Sequence, residues 1–395
     1  MVNAVQKFSI LLLLVLSSVI GFSSDVSSVA ESKVQEKSKE EIKKEIKETI
    51  KHHLQDSYSF DITHGVSFPL PVILFDEGLH IFSSSKFHHG EEAVTSKEKK
   101  YILFHGKIYS VGDTVLINKN VFEKRQSIEG LSNDTSYTAT IASLPTEDFI
   151  ENYIKHHHEL EEGTFISNAK PFDFSITKNV FVLILMSAFL FFLFSRMAKK
   201  YKSSLNPGGS AKFLEPIVVF IRDEIAIPNI GEKHYKKYLN YLLTIFFFIW
   251  FLNLAGMSPL GISVTNNIAI TSALAICTFL ITTFTGNKNY WAHIFWMPGV
   301  PVPMRLLLAP IELLGIFIKP FALMIRLYAN MTAGHVVMMS IIGLIFVFKN
   351  YFATGAFIGL SLFLSILELL VAALQAYIFT MLSSLYFGAA KEEHH

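Results

Sequence analysis

The sequence predicts an all-α polytopic membrane protein that carries a small mixed N-terminal domain outside the cytoplasm. Hydrophobic residues make up 51% of the 395 positions and charged residues only 17%, below the quarter that is usual in soluble domains. The charges are concentrated in residues 24–175, whereas residues 179–390 contain long tracts without any. The net charge of +1 and the lack of a basic block exclude a nucleic-acid partner. The single Cys277 excludes a disulfide framework and a multi-cysteine metal site.

The chain divides into five predicted segments. Residues 1–23 combine a basic head with a 15-residue apolar run, too short to span a bilayer, which predicts a signal peptide; an uncleaved anchor is the alternative. Residues 24–57 predict a charged helix, because isoleucine recurs every four positions among Glu and Lys. Residues 58–177 contain short β-like runs with turn signals and predict an extracytoplasmic domain. The last two segments are a membrane domain, 178–390, and a cytoplasmic tail, 391–395.

Two histidine clusters are candidate metal ligands, His88-His89 and His156-His157-His158. The second is followed by Glu159, but Glu162 stands where the zinc-protease signature requires another histidine. We interpret both clusters as solvated surface histidines and predict no metal and no cofactor.

The membrane domain begins with a span at residues 179–195. Basic residues follow at once in 196–202, which places this end of the span in the cytoplasm and the N-terminal domain outside. Residues 238–286 contain no Asp, Glu, Lys or Arg, and the segment 256–259 (GMSP) divides them into spans 238–257 and 265–286.

Two further apolar runs are too long for upright helices. As a single helix the 43 residues of 306–348 would extend about 65 Å, roughly twice the hydrocarbon thickness of about 30 Å. This run either folds into a hairpin near Pro320 or lies steeply tilted. Residues 352–390 are also over-long and contain one charge, Glu368, so we expect a pair of long tilted helices.

Ionisable residues inside these runs are spaced to share helix faces. Glu312, Lys319 and Arg326 are seven residues apart, as are Glu368 and Gln375. A charge at the bilayer centre costs about 2.5–3.5 kcal/mol, so these groups should face a partner, a water-filled cavity or each other. Buried salt bridges, such as Glu312 with Lys319, are one alternative. Such a salt bridge would leave Arg326, which remains charged, without an acid on its own helix. Arg326 therefore implies an acidic partner from another chain.

Three segments carry a family resemblance: PIELLGIFIKPFALMIRLYANMTAGH at 310–335, LQAYIF at 374–379, and FLNLAG with a following proline at 251–259. Together they resemble subunit a of the F-type ATP synthase, over about residues 178–390. The resemblance implies a proton-translocating stator subunit with two offset half-channels. In that family an arginine, at the position of Arg326, faces a carboxylate on a rotating ring of c subunits. The implied partners are the c-subunit ring, the b-subunit peripheral stalk, the soluble ATPase head and the lipid bilayer.

Individual positions carry over from that resemblance. Asn330 matches a channel-lining amide near the arginine, and Gln375 matches a glutamine that faces the arginine from the last helix. His335 and Glu368 occupy two positions where the family places an acid and a histidine, and the pair, if in contact, relays protons. Glu312 matches an acid of the cytoplasmic half-channel. The further candidates are Lys319, Asn266 and Asn267.

The resemblance also implies a bacterial inner-membrane protein that is not an enzyme on its own. Two other functional classes stay open at this stage. One is an ion-coupled secondary transporter with Arg326 in its substrate site. Such transporters often contain internal repeats, and this sequence shows no convincing repeat. The other is an assembly or anchoring protein whose exported domain carries the activity.

Overall fold

The computed structural model describes residues 56–63, 66–90, 92–104, 106–112, 114–118, 141–145, 170–203, 210–257, 264–296, 301–347 and 351–391. The chain forms two compact units, a smaller one over Gln55–Phe181 and a helical one that begins at Val182. The predicted signal peptide, almost all of the predicted charged helix, the second histidine cluster and the end of the tail lie outside the described residues.

The smaller unit is built from short antiparallel strands. Their order in the sheets is β1-β2, β10-β3-β4, β5-β6-β7 and β8-β9, and a 3₁₀ helix, Ser84–Gly90, follows β4. The strands are β1 Ser59–Thr63, β2 Val66–Pro69, β3 Pro71–Phe75, β4 Leu79–Ser83, β5 Val94–Ser96, β6 Lys99–Phe104, β7 Lys107–Val111, β8 Thr114–Asn118, β9 Ile141–Pro145 and β10 Phe172–Asp173.

One face of the central hairpin forms the core of this unit. The alternation of β3 and β4 buries Val72, Leu74, His80 and Phe82, which pack near the buried Tyr101 of β6. The buried His80 ring is held by Ser96 Oγ at 3.2 Å from Nδ1 and by the Asp76 carbonyl oxygen at 3.2 Å from Nε2. This histidine therefore has a structural role.

Two sequence expectations are refined in this unit. One of the β-like stretches expected within residues 58–177 is a hairpin of β6 and β7, and Gly106 at its turn has a φ of 71°. His88 lies in the 3₁₀ helix with its side chain 65% exposed, 3.7 Å from the Glu92 carboxylate. Over the described ranges, no group of three or more His, Cys, Asp or Glu side chains is arranged to hold a metal ion.

The second unit consists of helices, five of which are long and apolar enough to cross a membrane. Those five are α1, α4, α5, α7 and α8. The helices are α1 Lys178–Ser203, α2 Ser210–Phe220, α3 Ile227–Ile230, α4 Tyr235–Gly256, α5 Ile268–Thr285, α6 Lys288–Phe295, α7 Val302–Val347 and α8 Tyr351–Ala389; a π-helical turn, Ile221–Ala226, joins α2 to α3. The expected spans are thus present, with α1 extending eight residues beyond the expected 195 because its basic residues continue the helix.

The over-long run at 306–348 is one continuous helix and not a hairpin. Its 46 residues in α7 extend about 69 Å, and both Pro310 and Pro320 lie within it. Proline is tolerated inside membrane helices because neighbouring groups and small adjustments satisfy the freed backbone oxygens. The 39-residue α8 is likewise continuous, so the pair must lie tilted to stay within a bilayer.

The helical core is centred on α8, which packs against α4 and α7, while α7 also packs against α5. Tyr238 of α4 stacks on Phe387 of α8 with ring centroids 4.7 Å apart, and both are buried. Next to this contact, Gly388 lies directly against the Asn229 carbonyl group, where no Cβ could fit. These contacts set the register of α8 against α3 and α4, while α8 packs against α7 on another side.

Candidate functional site

A buried histidine–carboxylate pair joins α7 to α8. His335 Nδ1 lies 3.6 Å from Glu368 Oε1, and the two side chains are 1% and 9% exposed. The Glu368 carboxylate contacts the His335 ring but makes no hydrogen bond to any described residue. Burying a carboxylate is costly unless it is paired or protonated, so the contact with His335 is the feature of this structure that can offset the burial of Glu368.

Gly334 makes room for this pair. A Cβ at this position would lie 3.0 Å from Glu368 Oε1, closer than nearly all real contacts of this kind. By contrast, a Cβ at Gly315 on the same helix would meet nothing within 4 Å. A side chain at 334 would therefore press on the Glu368 carboxylate in its present position. The sequence did not reveal this contact, because Gly334 was noted only as the neighbour of His335.

The three charges at heptad spacing lie on one continuous helix, as expected. Glu312, Lys319 and Arg326 are all half-buried in α7. In the part of the chain that the structure describes, none of the three forms an ion pair within 4 Å. The alternative of a salt bridge between Glu312 and Lys319 is therefore wrong. Lys319 instead places its Nζ atom 5.6 Å from the centre of the Tyr386 ring.

Arg326 lies at the edge of an exposed apolar face of α7. One side of the arginine is bounded by the buried Leu323 and Leu327, both 1% exposed. On the other side α7 exposes a row of apolar residues one or two turns apart: Ile311, Leu314, Ile318 and Ile325. Arg326 makes no hydrogen bond to the described residues, so a partner can approach it from this exposed face.

His335 and Arg326 point to different sides of α7. They are nine residues apart, and at 100° per residue nine steps leave them about 180° apart around the helix and about 14 Å apart along it. The structure thus brings His335 to Glu368 but does not bring the pair to Arg326. The pair and the arginine are two distinct sites on one helix.

A small, mostly apolar cleft between α5, α6, α7 and α8 lies on the other side of Arg326 along the helix, with room for about one water molecule. Its polar lining residues are Thr278, Thr282, Tyr290, Lys319 and Tyr386. Burial raises the pKa of the Tyr290 hydroxyl, and the negative charge of Glu312 raises it further, which places that carboxylate near the cleft. Lys319 is one heptad, about 10 Å, before Arg326.

The two asparagines of the segment before α5 have different contacts. Asn267 caps α5, because its side chain accepts a hydrogen bond from the Ala269 amide at 2.9 Å. Asn266 accepts a hydrogen bond from Thr332 of α7, six residues beyond Arg326. Asn266 is thereby tied to the motif around the arginine, whereas Asn267 has a structural role that accounts for its position.

The remaining predicted amides differ in exposure. Asn330 is exposed, one turn beyond Arg326, while Gln375 is 6% exposed on the same face of α8 as Glu368. No hydrogen bond joins Gln375 to Arg326. A buried amide that the sequence reasoning did not single out is Asn253 of α4, 1% exposed, which bonds Thr265 at 3.0 Å and the Ala372 carbonyl oxygen at 3.4 Å. Its signal was its place in the FLNLAG segment, which carries part of the family resemblance.

Five membrane-length helices, with ionisable groups at successive levels of the two longest, define a multi-pass, ion-translocating membrane protein. The family model described as ATP synthase A chain matches residues 180–388. The chain therefore belongs to the ATP synthase subunit a family and is a membrane component of that complex.

Curated relatives carry the same name. The chain is 41% identical over 296 residues to ATP synthase subunit a of Pelodictyon phaeoclathratiforme, covering 68% of this chain and 85% of that one. It is 42% identical to ATP synthase subunit a of Chloroherpeton thalassium, covering 62% and 74% of the two chains. It is 44% identical to ATP synthase subunit a 2 of Prosthecochloris aestuarii, covering 55% and 69%.

A second family model matches residues 49–134, within and just before the smaller unit. Its description is a domain of unknown function (DUF8433). The match supports treating this part of the chain as a domain of its own, and it assigns no activity.

Proposed function

We propose that this chain is the proton-conducting stator of an F-type ATP synthase and that Arg326 forms its contact with a c-subunit ring. The observation that carries the proposal is the arginine itself. It is half-buried in the middle of α7, lacks an acidic partner in the described chain, and borders an exposed apolar face. A guanidinium in this position favours the ionised form of a carboxylate brought next to it, and so causes that carboxylate to release its proton.

Two half-channels on opposite sides of Arg326 would deliver and remove the proton. The cleft with Lys319 and Tyr386 precedes the arginine along α7, and the pair of His335 with Glu368 follows it. A proton that enters by one of these sites reaches the other only through the ring, because the charge of Arg326 lies between them and repels a free proton. Glu312 serves the cleft, and Asn330 and Gln375 line the approach to the arginine.

The distribution of basic residues supports one orientation in the membrane. Arg196, Lys199, Lys200 and Lys202 at the end of α1 place that end in the cytoplasm, and Lys288 after α5 and Lys391 after α8 agree with this. The cleft therefore opens towards the cytoplasm, and the histidine–glutamate pair lies in the outer half of the membrane. The smaller unit, which precedes α1, is outside the cytoplasm of a bacterial inner membrane.

The chain is not an enzyme on its own in this proposal. ATP is made or hydrolysed in a soluble head, and a b-subunit stalk holds this chain fixed relative to that head while the ring turns. The comparisons do not favour the secondary-transporter alternative, because relatives across more than half of the chain are named ATP synthase subunit a.

Disulfide cross-linking within the whole complex tests the contact with the ring. In a Cys277→Ser background, Ile325→Cys places a thiol on the exposed face next to Arg326, and a second cysteine is placed beside the ring carboxylate. We expect oxidation to join the two subunits. The matched control is Phe192→Cys on α1, which is also exposed, at 68%. If Phe192→Cys is cross-linked to the ring as well as Ile325→Cys, or Ile325→Cys is not cross-linked, the contact is not at Arg326.

A further inference from the structure

The smaller unit exposes a sheet face that is almost wholly apolar. Strand pairing places six side chains on the face opposite its core, because Phe172 is opposite Phe75, Phe75 opposite Leu79, and Ile73 opposite Ile81. Five of them are more than half exposed, and Phe172 and Phe174 reach 74% and 70%. The members of this face, which we call the outer sheet face, are Ile73, Phe75, Leu79, Ile81, Phe172 and Phe174.

An exposed patch of this kind is rare in soluble domains and indicates a surface that is covered in the working molecule. Both faces of the three-stranded sheet are apolar, since the opposite face forms the core of the unit. A sheet that needs cover on only one side normally alternates apolar and polar residues. The alternation is missing here, so the outer sheet face has an occupant.

The edge of this sheet continues directly into the first membrane helix. After β10 the chain stays beside β3, with the Phe174 amide bonded to the Ile73 carbonyl oxygen at 2.9 Å and the Ile176 amide to that of Pro71 at 3.1 Å. Helix α1 begins two residues later, at Lys178. That leaves about 7 Å of chain between the sheet and the helix, the thickness of one headgroup layer, about 5–7 Å.

The first four residues of α1, 178–181, belong to this unit and contact its strands. The Lys178 amide donates to the Ser57 carbonyl oxygen at 2.8 Å, and the Asn179 amide donates to Asp56 Oδ1 at 3.1 Å. The ring of Phe181, in the first turn of the span, lies 5.6 Å from Phe60 and 6.4 Å from Phe68. Phe68, which is 55% exposed, is thus an aromatic side chain of this unit in contact with the first turn of α1.

We propose that the outer sheet face lies on the bilayer, in the leaflet where α1 begins, and that its occupant is lipid. Aromatic side chains are favoured at the membrane interface, and four phenylalanines are available there, Phe68, Phe75, Phe172 and Phe174. The domain thus serves as a membrane-surface support for the first span.

Photo-cross-linking in the intact complex tests this. The photoreactive amino acid p-benzoylphenylalanine replaces Ile81, the member of the face on the strand farthest from α1, and the complex is reconstituted in vesicles of phosphatidylethanolamine and phosphatidylglycerol. We expect mass spectrometry to find phospholipid adducts on the peptide that contains position 81. The matched control carries the same amino acid at Lys107, exposed on β7 in a different sheet, and should give several-fold less lipid adduct.

Each other outcome would contradict the proposal. Adducts of position 81 with another ATP synthase subunit, or with a second copy of this chain, would identify a protein as the occupant. Equal lipid labelling at positions 81 and 107 would show that lipid does not contact the outer sheet face in preference to the rest of the unit. Because failed cross-linking has many causes, a second measurement uses Ile81→Trp: its added fluorescence should be quenched by lipids with brominated acyl chains, and no quenching would overturn lipid contact.

Discussion

His335 of α7 and Glu368 of α8 are in contact, with Nδ1 3.6 Å from Oε1, and both side chains are buried. The two residues are 33 positions apart in the sequence and lie on different helices. Their contact depends on the register of α8 against α7. The pair therefore reports on the packing of the two longest helices, and in the proposed function it also lies on the path of a proton.

The first prediction concerns the room that Gly334 leaves for Glu368. Gly334→Ala should lower ATP-driven proton pumping several-fold, because the new methyl group would lie 3.0 Å from Glu368 Oε1 and displace the carboxylate from His335. The control is Gly315→Ala on the same helix, where a Cβ meets nothing and helix propensity improves by about 1 kcal/mol. Equal pumping by both variants, measured in inverted vesicles, would mean that the pair is not held by this glycine.

The second prediction concerns the chemistry of the pair. Glu368→Gln should lower pumping by about two orders of magnitude if the carboxylate passes the proton on. The exchanged variant, His335→Glu with Glu368→His, keeps an acid in contact with a histidine and should recover part of the lost activity. Proton uptake is measured for the two single variants, His335→Glu and Glu368→His, and for the exchanged variant that combines them. An exchanged variant less active than both single variants would show that position, and not pairing, matters.

The third prediction concerns the smaller unit. Lys99 donates a hydrogen bond to Asp76 at 2.8 Å, and this contact lowers the pKa of the Asp76 carboxyl. A carboxyl whose pKa is lowered by folding stabilises the folded state above its unfolded pKa, and this contribution is lost as the pH falls through the lowered value. Hydrogen exchange over residues 55–181 should therefore accelerate as the pH falls below the ordinary value of 3.8, after correction for intrinsic exchange. Asp76→Asn should reduce that extra acceleration; an unchanged pH profile would contradict the assignment.

The fold could largely be predicted from the sequence because the thickness of the bilayer sets the length of the apolar segments that cross it. The five long helices fall close to the expected spans. The choice between a hairpin and a single helix at Pro320 could not be made, since proline breaks helices in water but is tolerated where neighbouring helices satisfy the backbone. Tertiary surroundings, not local sequence, decided that point.

The candidate site was predictable only in part, for a related reason. Heptad spacing within one helix placed Glu312, Lys319 and Arg326 on a common face, but it carried no information about contacts between helices. The salt bridge between Glu312 and Lys319 was wrong because Lys319 reaches the Tyr386 ring instead. The function of Gly334 could not be foreseen, because a glycine that makes room for a distant side chain resembles any other small residue in a membrane helix.

The central claim is that Arg326 couples the ring to proton flow, and Arg326→Ala tests it most directly. The complex with this substitution is purified to establish that the c ring is still present, and ATP-driven acidification is measured in inverted vesicles beside ATP hydrolysis. The account predicts that acidification is abolished while hydrolysis by the soluble head persists. Acidification at the unsubstituted rate, in a complex that contains the ring, would contradict it.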